Sequence, residues 1–186
     1  MGNRTYRPRF TEWDLDGLEK VTTLSSQQYL RLYHQYKNNQ AWGGQNMDDK
    51  TFFQKYNEIL PGEQTKRESD RAFYTFDYNK SGKLSFEEFV SAIVVLNKGS
   101  TTFDRIAYLI DQFNPNKNDN VVEESYGILV FDRLNQYYGI NDVDPVSSWS
   151  ELVNTYASNP KRVSRDEFLT FIAGHPIYIT HIRYHI

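Results

Sequence analysis

Asp77, Asn79, Ser81, Ser85 and Glu88 place side-chain oxygens at positions 1, 3, 5, 9 and 12 of a single stretch, DYNKSGKLSFEE. Lys83 at position 7 adds a backbone carbonyl, and Gly82 at position 6 is free to adopt a left-handed backbone. Hard oxygen donors in this number and alternation are what calcium requires, since it takes about six to eight of them. Glutamate at the last position is long enough to give both carboxylate oxygens, which favours calcium over the smaller magnesium. Only Asp77 and Glu88 are ionic, so the expected dissociation constant is about 10⁻⁷–10⁻⁵ M or somewhat weaker.

Such a loop needs a helix on each side. Upstream, Ala72, Phe73 and Phe76 lie at helical spacing; downstream, Phe89, Ile93 and Leu96 do the same, with Val90 and Val94 beside them. Helix, twelve-residue loop and helix together read as an EF-hand. EF-hands pair through their position-8 residues, here Leu84, so partners are expected elsewhere in the chain.

Three weaker copies of the scaffold follow from that search. SSQQYLRLYHQY (25–36) has Tyr29, Leu32, Tyr33 and Tyr36 on one face, followed by Met47 as the bridging residue opposite Leu84. Gln40, Gln45 and Thr51 then fall at positions 1, 6 and 12, and no ligand set survives. FDRIAYLIDQF (103–113) leads into NPNKNDNVVEES (114–125), with Val121 read as position 8. Asn114, Asn116, Asn118 and Asn120 keep the spacing without the charge; Asp119 replaces glycine and Ser125 replaces the terminal acid. Neutral amides alone hold calcium poorly. The last copy spans 148–174, with Val163 as the bridge and Glu167–Phe168 echoing Glu88–Phe89, but Tyr156 stands at position 1. The expected fold is all-α: four helix–loop–helix units in two paired lobes, with short β-bridges between loops. Its parts are an N-terminal segment 1–24, a first pair 25–99, a second pair 100–174 and an apolar tail 175–186.

Bulk composition narrows the function. The net charge of −3 offers no basic surface for nucleic acid. The 14 tyrosines and 12 phenylalanines must supply much of the core. Cysteine is absent, which removes disulfides, thiolate metal sites and cysteine nucleophiles. No apolar run reaches the roughly 18–20 residues of a membrane span, and no secretory core opens the chain. No Ser/His/Asp set, phosphate loop or catalytic carboxylate pair stands out, so an enzyme is not expected. A cytoplasmic location is, with peripheral membrane association a further option.

AFYTFDYNKSGKLSFEEFVSAIVVLNKG (72–99) resembles the second hand of the recoverin-like neuronal calcium sensors, relatives of the potassium-channel-interacting sensors. The resemblance covers roughly residues 25–175. It implies one main calcium site on Asp77, Asn79, Ser81, Lys83 (carbonyl), Ser85 and Glu88, and a calcium-free first hand. It also implies a working third hand, whereas 114–125 has lost its acids. Family members are often N-myristoylated; Gly2 is present, but Tyr6 stands where the motif takes Ser or Thr.

In sensor EF-hands the position-12 glutamate reorients the exit helix and exposes an apolar groove. Candidate groove residues are Trp13, Leu30, Tyr33, Phe52, Phe53, Tyr56, Ile59, Phe89 and Ile93, each of which could equally be core. The partner would be an amphipathic helix of a target protein such as a channel, receptor or signalling enzyme. Ile179, Ile182 and Ile186 share a face of the tail, which could shield that groove or pack on the core. His181 and His185 could face the same way and take zinc, or lie idle at the surface. Two main functional readings stay open: a calcium sensor, and a constitutive scaffold subunit with calcium as a static brace. A calcium buffer is a third, poorly served by one site.

Overall fold

Polar caps divide the chain into helices, and the computed structural model describes these for residues 7–38, 47–60, 62 and 65–184. Asp14 and Asp48 accept the backbone N–H groups of Gly17 and Thr51, starting α1 (Leu15–Val21) and α3 (Asp49–Ile59). Thr65 with Glu68, and Ser85 with Glu88, form capping boxes that open α4 (Lys66–Phe76) and α5 (Phe86–Leu96). Between them lies α2 (Ser26–Asn38), and α6 (Thr102–Phe113) follows. Beyond come α7 (Glu124–Tyr138), α8 (Pro145–Tyr156, with Pro at its start), α9 (Arg165–Gly174) and α10 (Pro176–Tyr184). Strands β1 (Val121–Glu123) and β2 (Arg162–Ser164) form a two-stranded antiparallel sheet. The chain is predominantly helical, and among the described residues no helix is long and apolar enough to cross a membrane.

Two compact units result, Pro8–Leu109 and Ile110–Ile186. The division falls inside α6, later than a boundary after Gly99 would place it. In the first unit, residues 8–24 are folded: a 3-10 turn (Phe10–Glu12) precedes α1, and Phe10, Trp13 and Leu18 are buried. Met47 and Leu84, both fully buried, form the expected antiparallel bridge. Every residue of α5 is buried or half-buried, as a helix apolar on all faces must be.

In the second unit Phe131 is the hub, with Phe168, Phe171 and Tyr178 rings at 5.2, 5.8 and 5.3 Å. The tail helix α10 therefore packs on this unit's own core. Tyr178 is fully buried, shares a 2.7 Å hydrogen bond with Ser148 and has its phenol pushed up by burial to about 12. The buried face of α10 is Tyr178 with Ile182; Ile179 is half-buried, and Ile186 lies outside the described residues.

The C-cap of α5 is Asn97, whereas the resemblance of 72–99 to the second hand of the recoverin-like sensors implies that Gly99 ends this helix. Gly99 permits a close approach instead: a Cβ there would sit 2.5 Å from the Thr22 carbonyl carbon and 2.7 Å from the Thr23 nitrogen. Both are backbone atoms that cannot swing aside. Gly99→Ala is expected to destabilise the protein by about 1–3 kcal/mol, read as a lowered midpoint in urea denaturation.

Candidate metal centre

Helix α4 delivers Asp77 as its C-cap, with the Asp77 N–H bonded to the Phe73 carbonyl at 2.9 Å. From there the carboxylate folds back over the loop. Its Oδ1 accepts the Ser81 N–H at 3.0 Å and its Oδ2 accepts the Gly82 N–H at 2.8 Å. The Ser81 N–H is shared with Asn79 Oδ1 at 3.1 Å. Ser81 Oγ lies within hydrogen-bonding distance of both Asp77 Oδ1 (3.3 Å) and the Lys83 carbonyl (3.0 Å). Four of the expected donor groups, from Asp77, Asn79, Ser81 and Lys83, are thus gathered by one serine. Two left-handed residues, Lys80 (φ 52°) and Gly82 (φ 73°), bend the chain enough to allow it.

The far end is organised separately. Glu88 Oε2 accepts the Ser85 N–H at 2.8 Å, and Ser85 Oγ accepts the Glu88 N–H at 3.2 Å. Between the two ends, Leu84 exchanges backbone bonds of 3.1 and 2.7 Å with Met47. Its carbonyl also accepts the Tyr36 hydroxyl at 3.0 Å. Burial, with the Glu87 and Glu88 carboxylates nearby, pushes the Tyr36 phenol well up, so it remains a donor at neutral pH.

The residues present fit a hard divalent cation. All donors at the six positions are oxygens, and the two carboxylates, Asp77 and Glu88, are each only 5% exposed. Asp77 is satisfied by N–H and O–H dipoles, which lower the cost of a buried anion without neutralising it. A cluster of three or more His, Cys, Asp or Glu residues suited to a metal does not occur among the described residues. Of the six ligand positions in this loop, two carry such residues, Asp77 and Glu88, and the remaining donors are neutral.

The other loops differ in ways the spacing did not show. Gln40 and Gln45 lie outside the described residues, as does Gly2. In 114–125 the residue facing Val163 is Val122, not Val121, which pairs with Ser164. Val122 is fully buried. The register shift puts Tyr126, rather than Ser125, four residues beyond the bridge, where Glu88 stands relative to Leu84; its hydroxyl donates to the Ile110 carbonyl at 2.6 Å. Asn114 is turned inward and bonds the Val121 carbonyl and the Asn116 N–H. The left-handed residue is Asn120, after a 3-10 turn at Lys117–Asp119. In the last loop Val163 bridges as expected and Ser164 and Glu167 repeat the capping box of Ser85 and Glu88. His181 Nδ1 is engaged by the Ile177 carbonyl at 2.9 Å, and His185 lies outside the described residues.

Of the nine groove candidates, Trp13, Phe52, Tyr56, Phe89 and Ile93 are buried core. Tyr33, Phe53 and Ile59 are half-buried, and Leu30 is 36% exposed. Sequence reasoning missed Phe10, Thr23, Glu87 and Asn97, which tie residues 8–23 to α5. The available signal was the Phe10–Trp13 aromatic pair in an otherwise polar stretch.

No family model matches the chain.

A Cβ on Gly82 would meet nothing within 4 Å, so substitution there costs backbone conformation alone. Gly82→Ala is expected to lose about 1 kcal/mol, and Gly82→Asn less, because Asn tolerates the left-handed region. Chemical denaturation in metal-free buffer checks that order.

Proposed function

We propose that this chain is an EF-hand protein with one main calcium site in the 77–88 loop, acting as a calcium sensor on a target protein. Asp77 and Glu88 would supply the charge, Asn79, Ser81 and Ser85 neutral side-chain oxygens, and Lys83 its carbonyl. The observation that carries this reading is the gathering of the Asp77, Asn79 and Lys83 oxygens by Ser81, with Glu88 buried at the loop's far end and Gly82 left-handed at the sixth position. The Met47–Leu84 bridge supports pairing with a calcium-free first hand. The similarity of 72–99 to the recoverin-like sensors favours the same assignment. The other three loops would serve as framework, and no catalytic role is proposed.

As a sensor, the protein would seat an amphipathic target helix after Glu88 draws α5 into a new orientation. The second reading, a scaffold subunit with calcium as a brace, is favoured by a specific observation. Five groove candidates and the whole of α5 are packed into the core. The two readings differ in whether calcium changes exposed apolar surface.

Isothermal titration at neutral pH is expected to show one site in the range about 10⁻⁷–10⁻⁵ M. At free calcium about 100-fold above the dissociation constant, the folded state gains about 2.7 kcal/mol, visible as a raised melting temperature. Glu88→Gln removes one of the two charges and is expected to weaken binding by at least about tenfold. Absence of heat and of thermal stabilisation in the wild type overturns the calcium reading. Partner recovery equal with calcium, without it and in Glu88→Gln rejects the sensor in favour of the brace.

A further inference from the structure

The residues ahead of α2 run alongside α5 and are fastened at both of its ends. At the first end, the Phe10 N–H donates to Glu87 Oε1 at 2.8 Å. The Phe10 ring, fully buried, stands edge-on to Phe86 at 4.8 Å and also meets Tyr33 and Trp13. At the other end, the buried Asn97 amide accepts the Thr23 N–H at 3.0 Å and donates to Thr23 Oγ1 at 2.9 Å. Ser100 adds a bond to the Val21 carbonyl at 2.8 Å. Glu87 and Asn97 are separated by about 15 Å of helical rise, and the intervening strap is itself braced through Leu18, Thr22 and Tyr29.

The first fastening falls on Phe86 and Glu87, the two residues before Glu88. We infer that docking of the 8–23 strap and binding of a divalent cation in the 77–88 loop reinforce each other. This rests on the proposed calcium site. In a single conformation the strap is seated on Phe86–Glu87, Glu88 is held by its capping box and Asp77 is turned into the loop. Whatever stabilises that conformation at one place stabilises it at the other, and such coupling is reciprocal. The strap is fastened at both ends of α5, the helix a sensor would have to move, so coupling of this sign goes with the brace reading, in which calcium holds α5 in place.

The test uses the full chain and calcium alone. Phe10→Ala, uncharged and outside the six ligand positions, is expected to weaken calcium binding about 5–10-fold by calorimetry, and Asn97→Ala to weaken it in the same direction. Leu152→Ala, buried in the Ile110–Ile186 unit, serves as the control and leaves affinity unchanged. Conversely, calcium is expected to slow hydrogen exchange of the Phe10 amide in the wild type. Equal affinity of wild type and a folded Phe10→Ala overturns the coupling while leaving the calcium site standing. If Phe10→Ala does not fold, calcium-independent exchange at Phe10 in a wild type that binds calcium overturns it instead. A wild type that takes up no calcium at all defeats the site itself.

Discussion

Two carboxylates taken out of water set the terms for the Pro8–Leu109 unit. Asp77 and Glu88 sit at opposite ends of one loop, each 5% exposed, and each must recover what it lost in hydration. The loop meets part of that demand with dipoles. Asp77 draws in the N–H groups of Ser81 and Gly82, and Glu88 draws in that of Ser85. These bonds fix the backbone path of the loop, so the groups that relieve the buried charge also set its shape. Gly82 and Lys80 are the two points where that path turns left-handed. The bridge to Met47 and the Tyr36 hydroxyl then hold the loop's exit in register.

The Ile110–Ile186 unit solves its assembly without such a pair. Its two loops are joined by β1 and β2 with Val122 opposite Val163. Arg165, the first residue of α9, reaches both oxygens of Asp111 on α6 at 2.7 and 2.8 Å. Its own N–H also bonds the Asn120 carbonyl at 2.9 Å. A bidentate guanidinium–carboxylate pair is directional as well as attractive. Here the cation that ties incoming to outgoing helix is part of the chain. The positions read as ligands in this unit's first loop, Asn114, Asn116, Asn118 and Asn120, carry no charge.

Periodicity and turn chemistry made much of this legible beforehand. Phe73 and Phe76 before the loop, Phe89 and Ile93 after it, and Gly82 within it all occupy the places their spacing implies. Met47 could be matched to Leu84 because it is the one apolar residue between Gly43 and Lys50. Val121 and Val122 could not be told apart that way, since adjacent valines give equal hydrophobic signal and a one-residue slip reverses which side chain faces inward. The side assignment of the apolar candidates stayed open for a related reason. Phe52, Tyr56, Phe89 and Ile93 share helical faces, but whether a face meets solvent depends on residues remote in sequence, such as Phe10 and Asn97. The polar composition of 1–24 hid α1, which is held by tertiary bonds such as Tyr108 Oη to the Asp14 carbonyl rather than by its own amphipathicity.

The two sets of loop pairing differ in mechanical character. Among the described residues, Met47 and Leu84 meet as an isolated bridge, two hydrogen bonds across one residue pair. By contrast, β1 and β2 align three residue pairs, and the bonds from Glu124 to Lys161 and from Arg165 to Asn120 lengthen the seam at both ends. Rotation about a single rung disturbs few contacts, whereas rotation about a seam of five must break several at once. Among the described residues, the shorter seam belongs to the half that also holds the buried acids.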